Sequence, residues 1–421
     1  MSSVILALFG IGYAAIILEY VIKINKTAAA LLTAVLCWTL YFLYSASPIS
    51  ANLDLLSHHL ADNAQIIFFL LGAMTLVELI DSHKGFKIVT DLIHTTSKRK
   101  MLWVVCTLTF FLSAILDNLT TTILMISLLR KMIPQRSERL LVSCMVVVAA
   151  NAGGAWTPIG DVTTTMLWIN SQITSLKIMG ALFAPSVISL LVPLLYFSFT
   201  QKGKFTSPKT QENSHELEPG AKIVFYLGVG ALVCVPIFKA LTGLPPFMGI
   251  LIALGLLWLV TDLLHHKYAQ REHLRVPAVL TRVDTSSVLF FLGILLCINA
   301  LEAVGLLTHL AEWLNTTLKS QALIATAIGV LSSIVDNVPL VAATMGMYPL
   351  AQFPTDSSLW HMIAYAAGTG GSLLVIGSSS GVAIMGLEKV DFLTYMRKIT
   401  LPVLAGYLAG MGVYLLQKAL I

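Results

Sequence analysis

The chain has 421 residues, 57% of them hydrophobic and 11% charged, with a mean hydropathy of +0.85. A water-soluble domain carries about 25% charged residues, so this composition excludes a soluble globule and predicts a polytopic helical membrane protein. The formal net charge of +5 is no argument for nucleic acid, because the basic residues fall between apolar runs, where they report topology instead.

In chain order, apolar segments at 4–22, 28–45, 63–80, 178–200, 223–240, 247–264, 287–304 and 400–417 are long enough to cross about 30 Å of hydrocarbon as helices. The first is read as a retained helix, since it is too long for a leader's apolar region, lacks an Ala-x-Ala end and carries Glu19. Residues 84–96 read as an interfacial helix. Cys37, Cys106, Cys144, Cys234 and Cys297 lie inside apolar segments without metal-ligand spacing and read as small buried side chains. The histidines fall in loops or at span ends, none placed like a metal ligand.

The chain repeats itself. Phe68-Phe69-Leu70 recurs as Phe290-Phe291-Leu292, Asp117-Asn118 as Asp336-Asn337, and Ile159-Gly160 as Ile376-Gly377, at offsets of 222, 219 and 217 residues. Shared order at steady spacing predicts two homologous halves, 1–200 and 223–421, joined by a solvated cytoplasmic linker at 201–222. With the N-terminus outside, 22 of the 26 Lys and Arg residues fall on the cytoplasmic side, which fixes the expected orientation. The C-terminus then also lies outside.

Residues 101–132 are bounded by basic clusters at both ends, and each arm around Asp117-Asn118 is too short for a comfortable crossing. A re-entrant helical hairpin is expected, with a counterpart at 320–350 entering from the opposite side. Each half then holds five crossings and one hairpin, and the odd number turns the second half upside down. The predicted fold is all-α and polytopic: two inverted repeats, each of five transmembrane helices plus a re-entrant hairpin, with interrupted helices at 139–176 and 358–386.

Gly153, Gly154 and Pro158 break the first of these helices, and a Gly-rich run at 368–381 breaks the second. Asn151, Thr157, Asp161, Thr163 and Thr164 place hard oxygen atoms at the first break, suited to a small cation such as Na⁺ or Li⁺. The second offers Thr369, Ser372, Ser378, Ser379 and Ser380 but no acid. Asp117, Asp161 and Asp336 are carboxylates at membrane depth, which are costly there and mark function by default. Capping is an alternative for all three and is expected to coexist with function, while Asn118 and Asn337 read as the purer caps. No Lys or Arg lies between Arg139 and Lys177 or between Lys319 and Lys389, so the expected partner of these acids is a mobile cation or proton. Competition of the two for one carboxylate is antiport. Glu78 and Asp81 end the third span, with Asn299 and Glu302 in roughly matching places; Glu78 is a candidate second proton carrier.

The segments FFLLGAMTLVELID at 68–81, SAILDNLTTTI at 113–123, AANAGGAWTPIGDVTTTMLW at 149–168, SSIVDNVPLVAA at 332–343 and GTGGSLLVIGSSSGVAIMG at 368–386 resemble the NhaD-type sodium/proton antiporters of the ion transporter superfamily. The resemblance covers most of the chain. It implies exchange of cytoplasmic Na⁺ or Li⁺ for external H⁺ in a cell inner membrane, a homodimer, a moving hairpin domain, and neither enzymatic activity nor a cofactor. It also implies that Asp117, Asn118, Asn151, Asp161, Thr163, Thr164, Asp336 and Asn337 handle cation or proton, supported by the hydroxyls of Ser113, Thr120 and Ser332; the Na⁺ set is Asp117, Asn118, Asn151 and Asp161. The second tip departs from the first, because Pro339 stands where the first has Thr120. An anion carrier for dicarboxylate, arsenite or sulfate on the same scaffold is the alternative; acids where an anion would bind speak against it.

Overall fold

The computed structural model describes residues 2–91, 93, 95–201, 203–205 and 217–420. The chain opens with α1 (Ser2–Ile17) and a short continuation, α2 (Glu19–Ile22), before Lys23 takes a left-handed turn. The helices α3 (Lys26–Tyr44) and α4 (Ile49–Ser82) follow, α3 being capped by the Asn25 side chain on the Thr27 amide. After α5 (Lys87–Thr90), the arms α6 (Lys98–Ser113) and α7 (Asn118–Met132) form the first hairpin. The pair α8 (Arg136–Gly154) and α9 (Val162–Ile169) is interrupted at 155–161, and α10 (Ser175–Thr200) closes this part of the chain.

The order then recurs. The spans α11 (Ala221–Thr242) and α12 (Pro246–His265) lead through α13 (Val276–Leu280) to α14 (Thr285–Ala303) and α15 (Leu306–Leu318). The arms α16 (Gln321–Leu331) and α17 (Asn337–Met347) form the second hairpin. The pair α18 (Ser358–Gly370) and α19 (Ser379–Glu388) is interrupted at 371–378, followed by α20 (Phe392–Lys398) and α21 (Thr400–Leu420). Among the described residues, seven helices are long and apolar enough to cross a membrane: α3, α4, α10, α11, α12, α14 and α21. The architecture is that of an all-helical, multi-pass membrane protein.

Helix pairings cross between the two parts of the chain. The span α3 lies on α14 and α12 lies on α4, while α10 packs along α21. Between these, α6 lies on α8 and α16 on α18; α7 wedges against α8 and α19, and α17 against α18 and α9. Lipid tails are as apolar as leucine, so close backbone approach rather than hydrophobic drive holds such helices together. Glycines permit that approach at matching places. A Cβ on Gly153 would collide with the Phe110 carbonyl, and one on Gly370 with the Gly329 carbonyl. One on Gly160 would stand 2.6 Å from the Ser113 oxygen, and one on Gly377 2.5 Å from the Ser332 oxygen.

Several expectations need correction. The third span is part of a 34-residue helix that begins at Ile49, because the polar stretch before residue 63 keeps helical periodicity without a breaker. The interrupted helix expected to reach 176 stops at Ile169, and a turn with Ser171 in a left-handed conformation separates it from α10. Helix within 84–96 is confined to the four residues of α5; residues 92 and 94 lie outside the described residues. Four cysteines are buried, but Cys234 is exposed on the outer face of α11, where the environment is apolar anyway. His58 and His59 lie within α4 rather than at its end, and His83 and His265 are buried against each other; His94 and His215 lie outside the described residues. The linker is fastened at its start, since the Lys98 amide donates to the Gly203 carbonyl and the Phe205 amide to the Thr96 carbonyl.

Candidate functional site

Both breaks and both hairpin tips meet around Asp161. The break leaves the first amides of α9 without partners, and Asp161 caps them: Oδ1 accepts from the Thr163 amide at 2.9 Å and from its hydroxyl at 2.8 Å. The second oxygen, Oδ2, accepts from the Asn118 amide nitrogen at 2.7 Å, and Asn337 reaches Oδ1 from the other hairpin at 3.5 Å. Asp161 is 1% exposed. Asn118 also donates to Asn151 Oδ1 at 3.0 Å, and Asn151 donates in turn to the hydroxyls of Ser372 and Ser378, each at 2.9 Å. One continuous network thus ties both hairpins to both interrupted helices.

The tips reverse an expectation. Asp117 and Asp336 are the helix caps, and Asn118 and Asn337 are the first helical residues whose side chains turn inward. A cap has extended backbone and points its oxygen along the helix start, whereas the next residue is rotated by about 100° onto the buried face. Asp117 accepts from the Thr120 amide at 2.8 Å and hydroxyl at 2.5 Å. Among the described residues Asp336 accepts a single long bond, 3.3 Å from the Val338 amide.

The supporting residues divide. Ser113 donates to the Ala150 carbonyl at 2.7 Å and Ser332 to the Ala367 carbonyl at 3.0 Å, pinning each hairpin to its interrupted helix at equivalent positions. Thr157 donates to the Ala114 carbonyl, and Thr164 to the Asp161 carbonyl, so both brace the break rather than face the central carboxylate. Thr369 is turned back onto the Tyr365 carbonyl within its own helix, away from the network. Glu78 stands beside Asp81 and Ser82 with Arg282 as a charged neighbour, at the end of α4 and apart from the centre. Asn299 pairs with Asn63 at 2.8 Å.

Among the described residues no Lys or Arg forms an ion pair with Asp117 or Asp161. For Asp336 the expectation of a purely mobile partner is overturned: the Lys26 ammonium lies 4.0 Å from its Oδ2. No pattern in the sequence links the two residues, because the contact spans α3 and the second hairpin. Another set of residues missed in the sequence lies at the far ends of α7, α8 and α19. There the wholly buried Glu388 carboxylate receives Arg130 and Arg139, each at 2.8 Å.

The chemistry available is that of a small hard cation. Carboxylate, amide and hydroxyl oxygens surround a water-poor point, and each Asn amide that now donates presents a carbonyl oxygen when turned about its terminal torsion. The same residues therefore suit either a bare carboxylate or a bound cation.

Comparisons with known proteins agree with this chemistry. The family model described as "Citrate transporter" (CitMHS) matches residues 13–363. The chain is 56% identical to sodium/proton antiporter 1 of Arabidopsis thaliana over 97% of its own length and 71% of that protein. It is 50% identical to sodium/proton antiporter 2 of the same plant over 97% of its own length and 98% of that protein. With the Na⁺/H⁺ antiporter NhaD of Vibrio cholerae it shares 30% identity, covering 98% and 91% of the two chains. Carboxylate-centred geometry and these relatives lead to one conclusion: the chain belongs to the citrate transporter family and, within it, to the NhaD-type sodium/proton antiporters.

Proposed function

We propose that the protein is a secondary transporter that exchanges Na⁺ for H⁺ across a membrane, with Asp161 as the shared carboxylate. The observation that carries this reading is a buried acid, without an ion-pair partner among the described residues, at the meeting point of both tips and both breaks. A carboxylate removed from water binds a proton more readily, and an adjacent cation drives that proton off, so Na⁺ and H⁺ exclude each other there. In the ion-bound state, Asn118, Asn151, Asp161 and Asp336 supply oxygens, the hydroxyls of Thr163, Ser372 and Ser378 orient the first three, and Asp117 holds the helix start of the first hairpin. Matching helix pairings and matching glycine contacts support two inverted repeats over 1–200 and 223–421.

The finer points belong to the same proposal: Li⁺ as a second substrate, release of cytoplasmic Na⁺ against entering H⁺, an inner-membrane setting with both termini outside, and a homodimer formed through the outer helices. The reading involves no cofactor and no nucleic acid. The family's description raises an anion as substrate, but the cation that approaches the site, Lys26, is already matched by Asp336. Everted vesicles carrying an acridine pH dye provide the test. Addition of Na⁺ or Li⁺ dequenches the dye in wild type and not in Asp161→Asn. Dequenching by citrate or succinate, and by no alkali cation, overturns the reading.

A further inference from the structure

Building on the exchange reading, we infer that Lys26 is a positioning residue, a tethered counter-charge that holds Asp336 until Na⁺ takes its place. The two hairpin tips differ at Pro339. Asp117 receives both the amide and the hydroxyl of the residue three places on, Thr120. At the corresponding place after Asp336 stands Pro339, which has neither group. The second tip's carboxylate is thereby stripped of the two donors that satisfy the first, and keeps one long bond to Val338. A partly buried carboxylate in that state needs a charge from elsewhere.

The outer helices supply it. Lys26 is the first residue of α3, fixed by the Asn25 cap and by its own amide bonding Glu19 Oε1 at 3.1 Å. Its ammonium rests 4.4 Å above the Phe290 ring on α14 and 4.0 Å from Asp336 Oδ2. The buried Tyr13 hydroxyl on α1 lies beside the same acid. Three helices outside the hairpin thus converge on one tip. At 4.0 Å the ammonium attracts the carboxylate without a close hydrogen bond, a weak hold that a competing ion can break. Both occupants carry one positive charge, so Asp336 stays neutralised in either state and takes no part in carrying the exchanged proton. Because α3 lies outside the hairpin, release of Lys26 also unfastens the hairpin from its neighbours.

The test uses full-length protein in vesicles, with insertion and abundance matched, and reads the half-saturating Na⁺ concentration separately from maximal rate. Loss of the competing charge in Lys26→Gln lowers the half-saturating concentration about 2–5-fold, the range for a partly exposed pair. Lys26→Met gives the same shift with the stem's volume kept, and carries the test should Lys26→Gln insert poorly; Lys26→Arg retains the wild-type value. Pro339→Thr returns donors to Asp336, so adding Lys26→Gln to it produces a smaller shift than in wild type. An unchanged or raised value in the neutral variants, an arginine variant that behaves like glutamine, or full additivity with Pro339→Thr overturns the inference while leaving exchange at Asp161 intact. Absence of Na⁺-driven exchange in wild type itself removes the underlying reading and this inference with it.

Discussion

At Asp161 every oxygen already has a partner, and its two Asn donors come from different hairpins. In the bound state Asn118 turns its carbonyl oxygen to the cation, so Asn118→Ala removes a ligand worth about 1.5–3 kcal/mol and raises the half-saturating Na⁺ concentration by roughly 10–100-fold. Asn337→Ala, whose contact is longer at 3.5 Å, has the smaller effect; calorimetric Na⁺ titration of the purified variants ranks the two. The acids and the Gly-rich breaks were legible in the sequence because a charge or a glycine pair inside an apolar run is anomalous on its face. Which member of each Asp-Asn tip points inward was not legible, since one residue's shift in the helix start rotates the side chain by about 100°. Lys26 was hidden for another reason: its value depends on a contact between residues 310 positions apart, and nothing in its own neighbourhood marks it.

Among elements, the ends of α7, α8 and α19 are bound together by ions. Glu388 is fully enclosed, Arg139 is 10% exposed and Arg130 is 43% exposed. Glu388→Ala strands the Arg139 guanidinium away from water, a loss of about 3–5 kcal/mol, whereas Arg130→Ala removes a partner that water replaces and costs far less. Thermal unfolding in detergent distinguishes them: the first variant melts well below the second. The glycine contacts make a parallel demand. Gly160→Ala places a methyl 2.6 Å from both the Ser113 carbonyl and the Thr157 hydroxyl, an overpacking of about 1–3 kcal/mol that also spreads the break away from the hairpin. The helix order was legible from apolar lengths and basic flanks, but the packing was not. Glu388 lies in a charged terminus that reads as solvated, and only the approach of three helix ends encloses it.

For the molecule as a whole, a histidine pair joins the two parts of the chain at one surface. His83, just past α4, faces His265 of α12 with their Nε2 atoms 3.0 Å apart, and its Nδ1 meets the Leu79 carbonyl. Burial, reinforced by His265, pushes the His83 imidazole from 6.5 down to about 4 despite the Leu79 carbonyl. The neutral ring is therefore the folded form. The stability it confers is present above pH 6.5 and is lost as pH falls toward about 4, where the unfolded chain takes up the proton first. The melting temperature of solubilised protein is expected to fall across that window, and to fall less in His83→Gln. The helix α4 that carries this junction is 34 residues long, about 51 Å at 1.5 Å per residue, against roughly 30 Å of hydrocarbon. Its length therefore exceeds the hydrocarbon, and its opening turns are braced on the preceding span, Ser45 bonding Asn52 and Trp38 lying beside His59. Any rocking of α4 thus carries α3 with it, and a spectroscopic tag on the exposed Asp54 side would register the joint movement far along the helix from His83.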